Sequence, residues 1–245
     1  MRHSFFSASR PLVFAHRGGA ALAPENTIAA FDNALALGVD GIELDVRMSQ
    51  DGVVVVHHDR TLDRTTNLRG PVAKRTMDEL VRAAVPTLTS VLARYRETRV
   101  IIEMKLDEPE FARAVLDDVR STDAVDRVCL GSFGRRSLRE VRRIEPAIAT
   151  SAAREEVRWA LYRSWCRWPV MQTPYAGYQV PEWAGTTRVV SPRFVRDAHR
   201  AGLGVQVWTV NSESEAQRLL DWSVDALITD RPDVMVPLVN SNVTR

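Results

Sequence analysis

GIELDV at 41–46 and VVVVH at 53–57 are separated only by RMSQDG, and that spacing decides the architecture. Both runs are β-rich, and residues two apart on a strand share a face. Six residues are too few for a parallel crossover, whereas Ser49-Gln50-Asp51-Gly52 suits a hairpin turn. Further β-rich runs lie at 13–16, 99–106, 128–133, 148–152, 188–191, 204–210 and 226–229. Amphipathic stretches separate most of them, at 27–37, 110–120, 136–144, 193–201 and 212–222. Strands alternating with helices over 245 residues predict a parallel sheet closed as a (β/α)8 TIM barrel. Nine strand candidates are one too many, and the hairpin absorbs the surplus as an arm at the barrel mouth. An open doubly wound sheet is the other arrangement that fits the pattern.

Composition narrows the class. The chain is 45% hydrophobic and 26% charged with 12 Gly and 12 Pro, which excludes disordered, collagenous and coiled-coil proteins. A net charge of +2 gives no field to draw it to nucleic acid or an anionic membrane. No apolar run reaches the 18 residues of a membrane span, and the opening MRHSFFS is too short and broken for a signal segment. Cys129 and Cys166 form neither a disulfide framework nor a metal spacing. A cytoplasmic location is therefore expected. Residues 155–187 hold four of the six tryptophans and read as a helix followed by a long loop over one barrel face.

The chemistry concentrates at strand residues. Glu43 and Asp45 share one face of their strand, while Ile42, Leu44 and Val46 share the other. Two such carboxylates repel unless something positive lies between them. Glu103 and Lys105 share a face of an otherwise apolar strand, and Lys105 is one of only two lysines in the chain. Charges there must be paired or bind an ion. Glu43, Asp45 and Glu103 make an all-oxygen set suited to one hard divalent cation, Mg²⁺ or Ca²⁺. A two- or four-residue hairpin turn would place His58 on the carboxylate face, whereas a three-residue turn would place His57 there; the even registers are the expectation, with His57 a packed or surface histidine. His16-Arg17-Gly18-Gly19 ends the first strand with two cationic side chains and two glycines that let backbone approach an oxyanion. Pro24-Glu25-Asn26-Thr27 reads as a helix start. Trp208 lies at the carboxyl end of a late strand, where packing explains it as well as ligand contact does. A divalent cation, an Arg/Lys pair and two histidines are the equipment for a phosphodiester: one histidine activates the nucleophile and the other protonates the leaving alkoxide.

The sequence resembles the glycerophosphodiester phosphodiesterase family, TIM barrels related to the phosphatidylinositol-specific phospholipases C. The matching stretches run in order along nearly the whole chain: AHRGGA at 15–20, PENT at 24–27, GVDGIELDVRMSQDG at 38–52, VVVVHHDRTLDRTT at 53–66, VPTL at 85–88, IIEMK at 101–105, GSF at 131–133, AGLGVQVWTVN at 201–211 and DALITDRPD at 225–233. The resemblance implies His16 and His58 as the catalytic pair, Glu43, Asp45 and Glu103 as metal ligands, Arg17 and Lys105 as phosphate contacts, and Trp208 beside the glycerol. It implies release of sn-glycerol 3-phosphate and an alcohol from diesters such as glycerophosphocholine and glycerophosphoethanolamine. It also implies a small cap insertion at about 59–85 in what reads as one barrel domain. Residues 151–187 match poorly, so the leaving-group pocket is the part left open.

Other readings are a lysophospholipase D-like activity on single-chain lipids and a cyclising attack by the substrate's own hydroxyl. A non-catalytic phosphate-binding barrel would be expected to lack one of the two histidines or three acids, and all five are present. A divalent-metal aldolase would not need two histidines beside Arg17. The expected partner is a small-molecule glycerophosphodiester, with no nucleic acid and no integral membrane segment. A homodimer stays open, because many barrel enzymes form one.

Overall fold

The computed structural model describes residues 3–168 and 172–243. Strands β1 (Leu12–His16) and β2 (Gly41–Met48) are followed by β3 (Val54–Val56), which pairs antiparallel with β2. Then come β4 (Arg99–Met104), β5 (Val128–Gly131), β6 (Ala149–Thr150) and β7 (Gly177–Val180). A small hairpin of β8 (Trp183–Ala184) and β9 (Thr187–Arg188) precedes β10 (Gly204–Val207) and β11 (Ala226–Thr229). The parallel order is β6-β5-β4-β2-β1-β11-β10-β7. At the remaining seam, Ser151 bridges Gly177, and the Ala176 and Ala152 N–H groups donate to Thr150 O and Gly177 O, each at 2.9 Å. The sheet is thereby closed as an eight-stranded (β/α)8 TIM barrel, with β3 as the surplus arm.

Helices carry the chain back between parallel strands. They are α1 (Ile28–Ala36), α2 (Met77–Arg82), α3 (Leu88–Arg94), α4 (Pro109–Ser121), α5 (Arg135–Ile144), α6 (Arg154–Cys166), α7 (Pro192–Arg200), α8 (Glu213–Asp221) and α9 (Pro232–Val243). Local chemistry starts several of them: Thr27, Thr87, Ser191 and Ser212 each accept a hydrogen bond from the backbone N–H three residues on. Proline at the first position of α4 and α7 forgoes a donor that a helix start leaves unused. On α4, Phe111, Ala112, Val115, Leu116 and Val119 form the buried stripe that faces the sheet.

The barrel interior is plugged at one end. Phe5 and Phe6, on a 3₁₀ turn over Ser4–Phe6, pack with Leu12, Phe14, Ile101, Cys129 and Ile228. The Phe6 ring occupies the space that side chains at Gly177 and Gly204, the first residues of β7 and β10, would fill. The strands' carboxyl ends are left for the site, as in barrels generally. The 59–85 insertion follows β3 and holds a 3₁₀ turn (Val72–Lys74), α2 and a satellite core of Leu62, Val72, Leu80 and Val85 against Val55.

Two expectations need correction. Residues 188–191 are not a barrel strand; the sixth barrel strand is β7, inside the stretch read as loop. The run at 188–191 is extended because the Val189 and Val190 N–H groups both reach Glu182 O, at 2.8 and 3.3 Å. The β2–β3 register pairs Val46 with Val56 and Met48 with Val54, so the hairpin has the odd register that sets His57 opposite Asp45. Among the described residues, no helix is long and apolar enough to cross a membrane.

The close approach of β1, β2 and β4 gives a stability test. A Cβ added at Gly41 would stand 2.5 Å from the Phe14 ring and 2.6 Å from Arg99 O. Gly41→Ala should cost about 2 kcal/mol and lower the Tm by roughly 4–8 °C. An unchanged melting curve would contradict this packing.

Candidate active site

The strand registers assemble the site. His16, the last residue of β1, pairs with Glu43, and two residues on Asp45 pairs with Glu103 of β4. Glu43 and Asp45 face the barrel interior, while Ile42, Leu44 and Val46 pack outward against the helices, as the alternation predicted. Lys105 follows β4 and Trp208 follows β10. His16, Arg17, Glu43, Asp45, His58, Glu103, Lys105 and Trp208 all line one cavity of about 690 Å³.

Counter-charge is unevenly shared among the acids. Asp45 Oδ1 lies 2.7 Å from Lys105 Nζ, and Oδ2 lies 3.3 Å from Arg17 Nε and accepts from Asn26 Nδ2 at 3.0 Å. Burial would push this carboxyl up, but Lys105, His58 and Arg17 outweigh it and hold it below its ordinary range. Among the described residues, Glu43 accepts only the Arg17 backbone N–H, at 3.0 Å, with His16 Nε2 3.9 Å away. Burial and the Asp45 charge raise it. Glu103 is pushed up to about 8 by burial, against the pull of Lys105. Its buried Oε1 has no hydrogen-bond partner among the described residues.

This imbalance bears on a cation. An orphaned carboxylate oxygen and two acids made less acidic by burial fit an all-oxygen site short of positive charge. Among the described residues, no three His, Cys, Asp or Glu side chains already stand as a coordination shell, and Asp45 is engaged by Lys105.

Each histidine has its own carboxylate. His16 Nδ1 lies 2.7 Å from Asp230 Oδ1, and Asp230 Oδ2 accepts from Asn211 Nδ2 at 2.8 Å. His58 Nδ1 lies 2.7 Å from Asp59 Oδ1. Arg64 donates to Asp59 Oδ2 at 2.7 Å and to both Glu25 oxygens at 2.7 and 2.8 Å, and Glu25 accepts from Arg17 at 3.1 Å. A carboxylate on Nδ1 fixes the ring and leaves Nε2 for chemistry. Burial would lower His16, but Asp230 and Glu43 outweigh it and raise it. For His58 burial prevails, and the ring is held below its ordinary value despite Asp45 and Asp59.

His58 reaches the cavity by a different route from the hairpin alternation. β3 stops at Val56, so the strand's two-residue period no longer applies at 57 and 58. The His57 N–H donates to Asp45 O at 2.8 Å, and its buried ring turns away to Thr61 O, 3.0 Å from Nε2. Gly18 and Gly19 also serve another purpose than ligand approach. Both have positive φ, and a Cβ at Gly18 would press on Ala30 and Phe31 of α1 at 2.8–2.9 Å. Asp230, Asp59, Asn26 and Glu25 were missed as site residues. Asp59 adjoins His58 in sequence, and Asn26 and Glu25 lie in PENT, where Thr27 alone is the helix cap. Nothing local links residue 230 to residue 16; the pairing of β1 with β11 does.

Comparison with known proteins gives the family. Residues 16–234 match the model of the Glycerophosphoryl diester phosphodiesterase family. The chain belongs to this family. It is similar to the glycerophosphodiester phosphodiesterase of Caldanaerobacter subterraneus, 29% identical over 248 residues that span 94% of this chain and 98% of the relative. The glycerophosphodiester phosphodiesterase of Bacillus altitudinis is 32% identical over 248 residues, 92% of this chain and 97% of its own. Among solved structures, a glycerophosphodiester phosphodiesterase from Agrobacterium tumefaciens superposes with a TM-score of 0.73 at 30% identity, covering 91% of this chain and 97% of that one. An Oleispira antarctica phosphodiesterase in complex with the product sn-glycerol-3-phosphate gives 0.76 at 26% identity, covering 94% and 97%. As a glycerophosphodiester phosphodiesterase family member, the chain is an enzyme of the phosphoric diester hydrolase class.

The two adjacent histidines separate by substitution. His57→Ala removes a buried hydrogen bond, worth about 1 kcal/mol, and should lower the Tm while leaving kcat near that of the unsubstituted chain. A collapse of kcat with unchanged Tm would instead make His57 the histidine that acts in this family's chemistry.

Proposed function

We propose that the enzyme hydrolyses glycerophosphodiesters, glycerophosphocholine and glycerophosphoethanolamine among them, to sn-glycerol 3-phosphate and an alcohol. The observation that carries this reading is that His16 and His58, each held at Nδ1 by its own carboxylate, line the cavity that also holds Arg17 and Lys105. The Oleispira antarctica relative, a phosphodiesterase in complex with the product sn-glycerol-3-phosphate, supports the same product.

His16 and His58 act as the acid–base pair. One takes the proton of the attacking water, whose oxygen forms the new P–O bond. The other delivers a proton to the alcohol oxygen as its bond to phosphorus breaks. An alkoxide is a poor leaving group, so this proton must be positioned beforehand, which is what the Nδ1 carboxylates accomplish. Arg17 and Lys105 hold the non-bridging phosphate oxygens and offset charge developing on them. Trp208 packs beside the glycerol. Glu43, Asp45 and Glu103 would hold one divalent cation, Mg²⁺ or Ca²⁺. When bound, such an ion supplies further compensation of the phosphate charge. The insertion contributes through Asp59 and Arg64, which steady His58. Two free cysteines, one buried and one exposed, fit a reducing cytoplasm.

A coupled assay of glycerol 3-phosphate release from glycerophosphocholine, with Mg²⁺, Ca²⁺ or EDTA, tests reaction and metal together. Turnover should need a divalent ion, and His16→Ala or His58→Ala should lower kcat by about 10²–10⁴. Activity indifferent to EDTA would remove the metal, and wild-type kcat in either histidine variant would remove the acid–base pair. Glu103→Gln should weaken metal binding, followed by calorimetry, by more than about tenfold, the loss seen even for outer partners of metal ligands. Unchanged affinity would exclude Glu103 as a ligand.

A further inference from the structure

The acids and histidines of the cavity lie at the strand ends, and much of the wall beyond them is apolar, with Arg154 and Arg158 of α6 set among it. Val157, Leu161 and Trp165 recur every four residues on α6, with Tyr162 beside them, and all four line the cavity together with Trp183 of β8. Such a helical stripe is ordinarily covered by another element. Here Leu161 is buried in the core with Val157 packed against it, but Tyr162, Trp165 and Trp183 remain 49%, 56% and 51% exposed beside the cavity.

The wall is also firmly held. Glu182, 3% exposed, accepts from Arg188 at 3.0 Å and Arg218 at 2.6 Å. The Arg188 guanidinium lies over both the Trp183 ring, at 5.3 Å, and the Trp222 ring, at 4.5 Å. Trp183 is therefore fixed at the cavity by a buried carboxylate, two arginines and a second indole.

Charge decides what this wall accepts. Apart from Glu43, Asp45 and Glu103, no carboxylate lines the cavity among the described residues, whereas Arg154 and Arg158 do. The aromatic rings alone would suit an ammonium headgroup. Yet the Phe133 ring already carries Arg154 at 5.2 Å and Lys105 at 5.9 Å. A cationic headgroup would meet the Arg154 and Arg158 guanidinium groups, while an uncharged apolar chain would cover the exposed rings of Tyr162, Trp165 and Trp183.

We propose that the site selects phosphodiesters of glycerol that carry a single long alkyl chain, laid along the wall of α6 and β8, over those with a small cationic headgroup. The inference rests on the hydrolase reading above. It extends that reading from the bond cleaved to the substrate chosen.

The test is kcat/KM for sn-glycero-3-phospho-n-alkanols from methyl to decyl, each below its aggregation concentration. Glycerophosphocholine and its uncharged isostere, the 3,3-dimethylbutyl ester, are run beside them. The expected result is a rise of about two- to fourfold for each methylene that reaches the wall, with the isostere ahead of the choline ester. Trp165→Ala should lower the decyl-to-methyl ratio. A decanoyl chain placed on the glycerol, in 1-decanoyl lysophosphatidylcholine, tells which ester arm faces the wall, and a chain-length gain in either arm supports the proposal. A flat series in both arms, or a choline ester that outruns its isostere, overturns it. If no diester is cleaved, the hydrolase reading fails by itself, and binding of decyl phosphate against methyl phosphate, read by tryptophan fluorescence, decides the wall: tighter decyl binding upholds it and equal binding overturns it.

Discussion

Glu43, Asp45 and Glu103 project from adjacent strands into a barrel interior plugged at its far end by phenylalanine rings and aliphatic side chains. A buried carboxylate costs several kcal/mol unless it is paired, and three together repel one another as well. Only Asp45 receives two cations, from Lys105 and Arg17. Glu43 has a backbone N–H, and Glu103 keeps an oxygen without a partner. A barrel optimised for stability would not leave this imbalance. It persists because eight strands and the packed helices around them determine the backbone more strongly than the carboxylates can distort it.

The same scarcity of positive charge organises the loops above the strands. Arg17 serves Asp45 and Glu25 at once, and Glu25 in turn receives Arg64, which grips Asp59 behind His58. A line of ion pairs thus runs from the end of β1 to the insertion after β3. Because each member has two partners, displacing one loses contacts at both ends, so the chain of pairs stiffens loops that share no secondary structure. His16 is held from the other side, by Asp230 and Asn211 beyond β11 and β10. The two histidine rings are thereby set in different ways, His16 by the residue that follows the neighbouring strand β11 and His58 by the next residue of its own loop.

Much of this was legible in sequence wherever a local period or an unusual residue spoke for itself. The alternation of 41–46 gives the inward acids, and a lysine in an apolar strand marks Lys105 as a charge with a task. Nonlocal geometry was not legible. Asp51-Gly52 fits turns of several lengths, so the β2–β3 register could not be read from it, and His58 reaches the cavity only because β3 stops one residue short of His57. β7 escaped notice because Gly177-Tyr178-Gln179-Val180 is short, bounded by Pro181, and carries Gln179 toward the interior, where it bonds Gln206 at 2.9 Å. The β-branched pair Val189-Val190 imitated a strand while lying against the Glu182 carbonyl.

The parts that matched the family motifs and the parts that did not differ in physical kind. The motif residues form the charged end of the cavity, where moving one carboxylate by an ångström changes the balance of every neighbour, so residue type and position are narrowly constrained. The wall of α6 and β8 is held by contacts that face away from the cavity: Glu182 with its two arginines, and Arg188 against Trp222. Beside Arg154 and Arg158, its inward apolar residues need only be of the right size. Substitution there leaves the charged end untouched and alters which molecule can lie against it. In this barrel, the chemistry and the choice of substrate therefore rest on separable sets of interactions, one electrostatic and rigid, the other hydrophobic and adjustable.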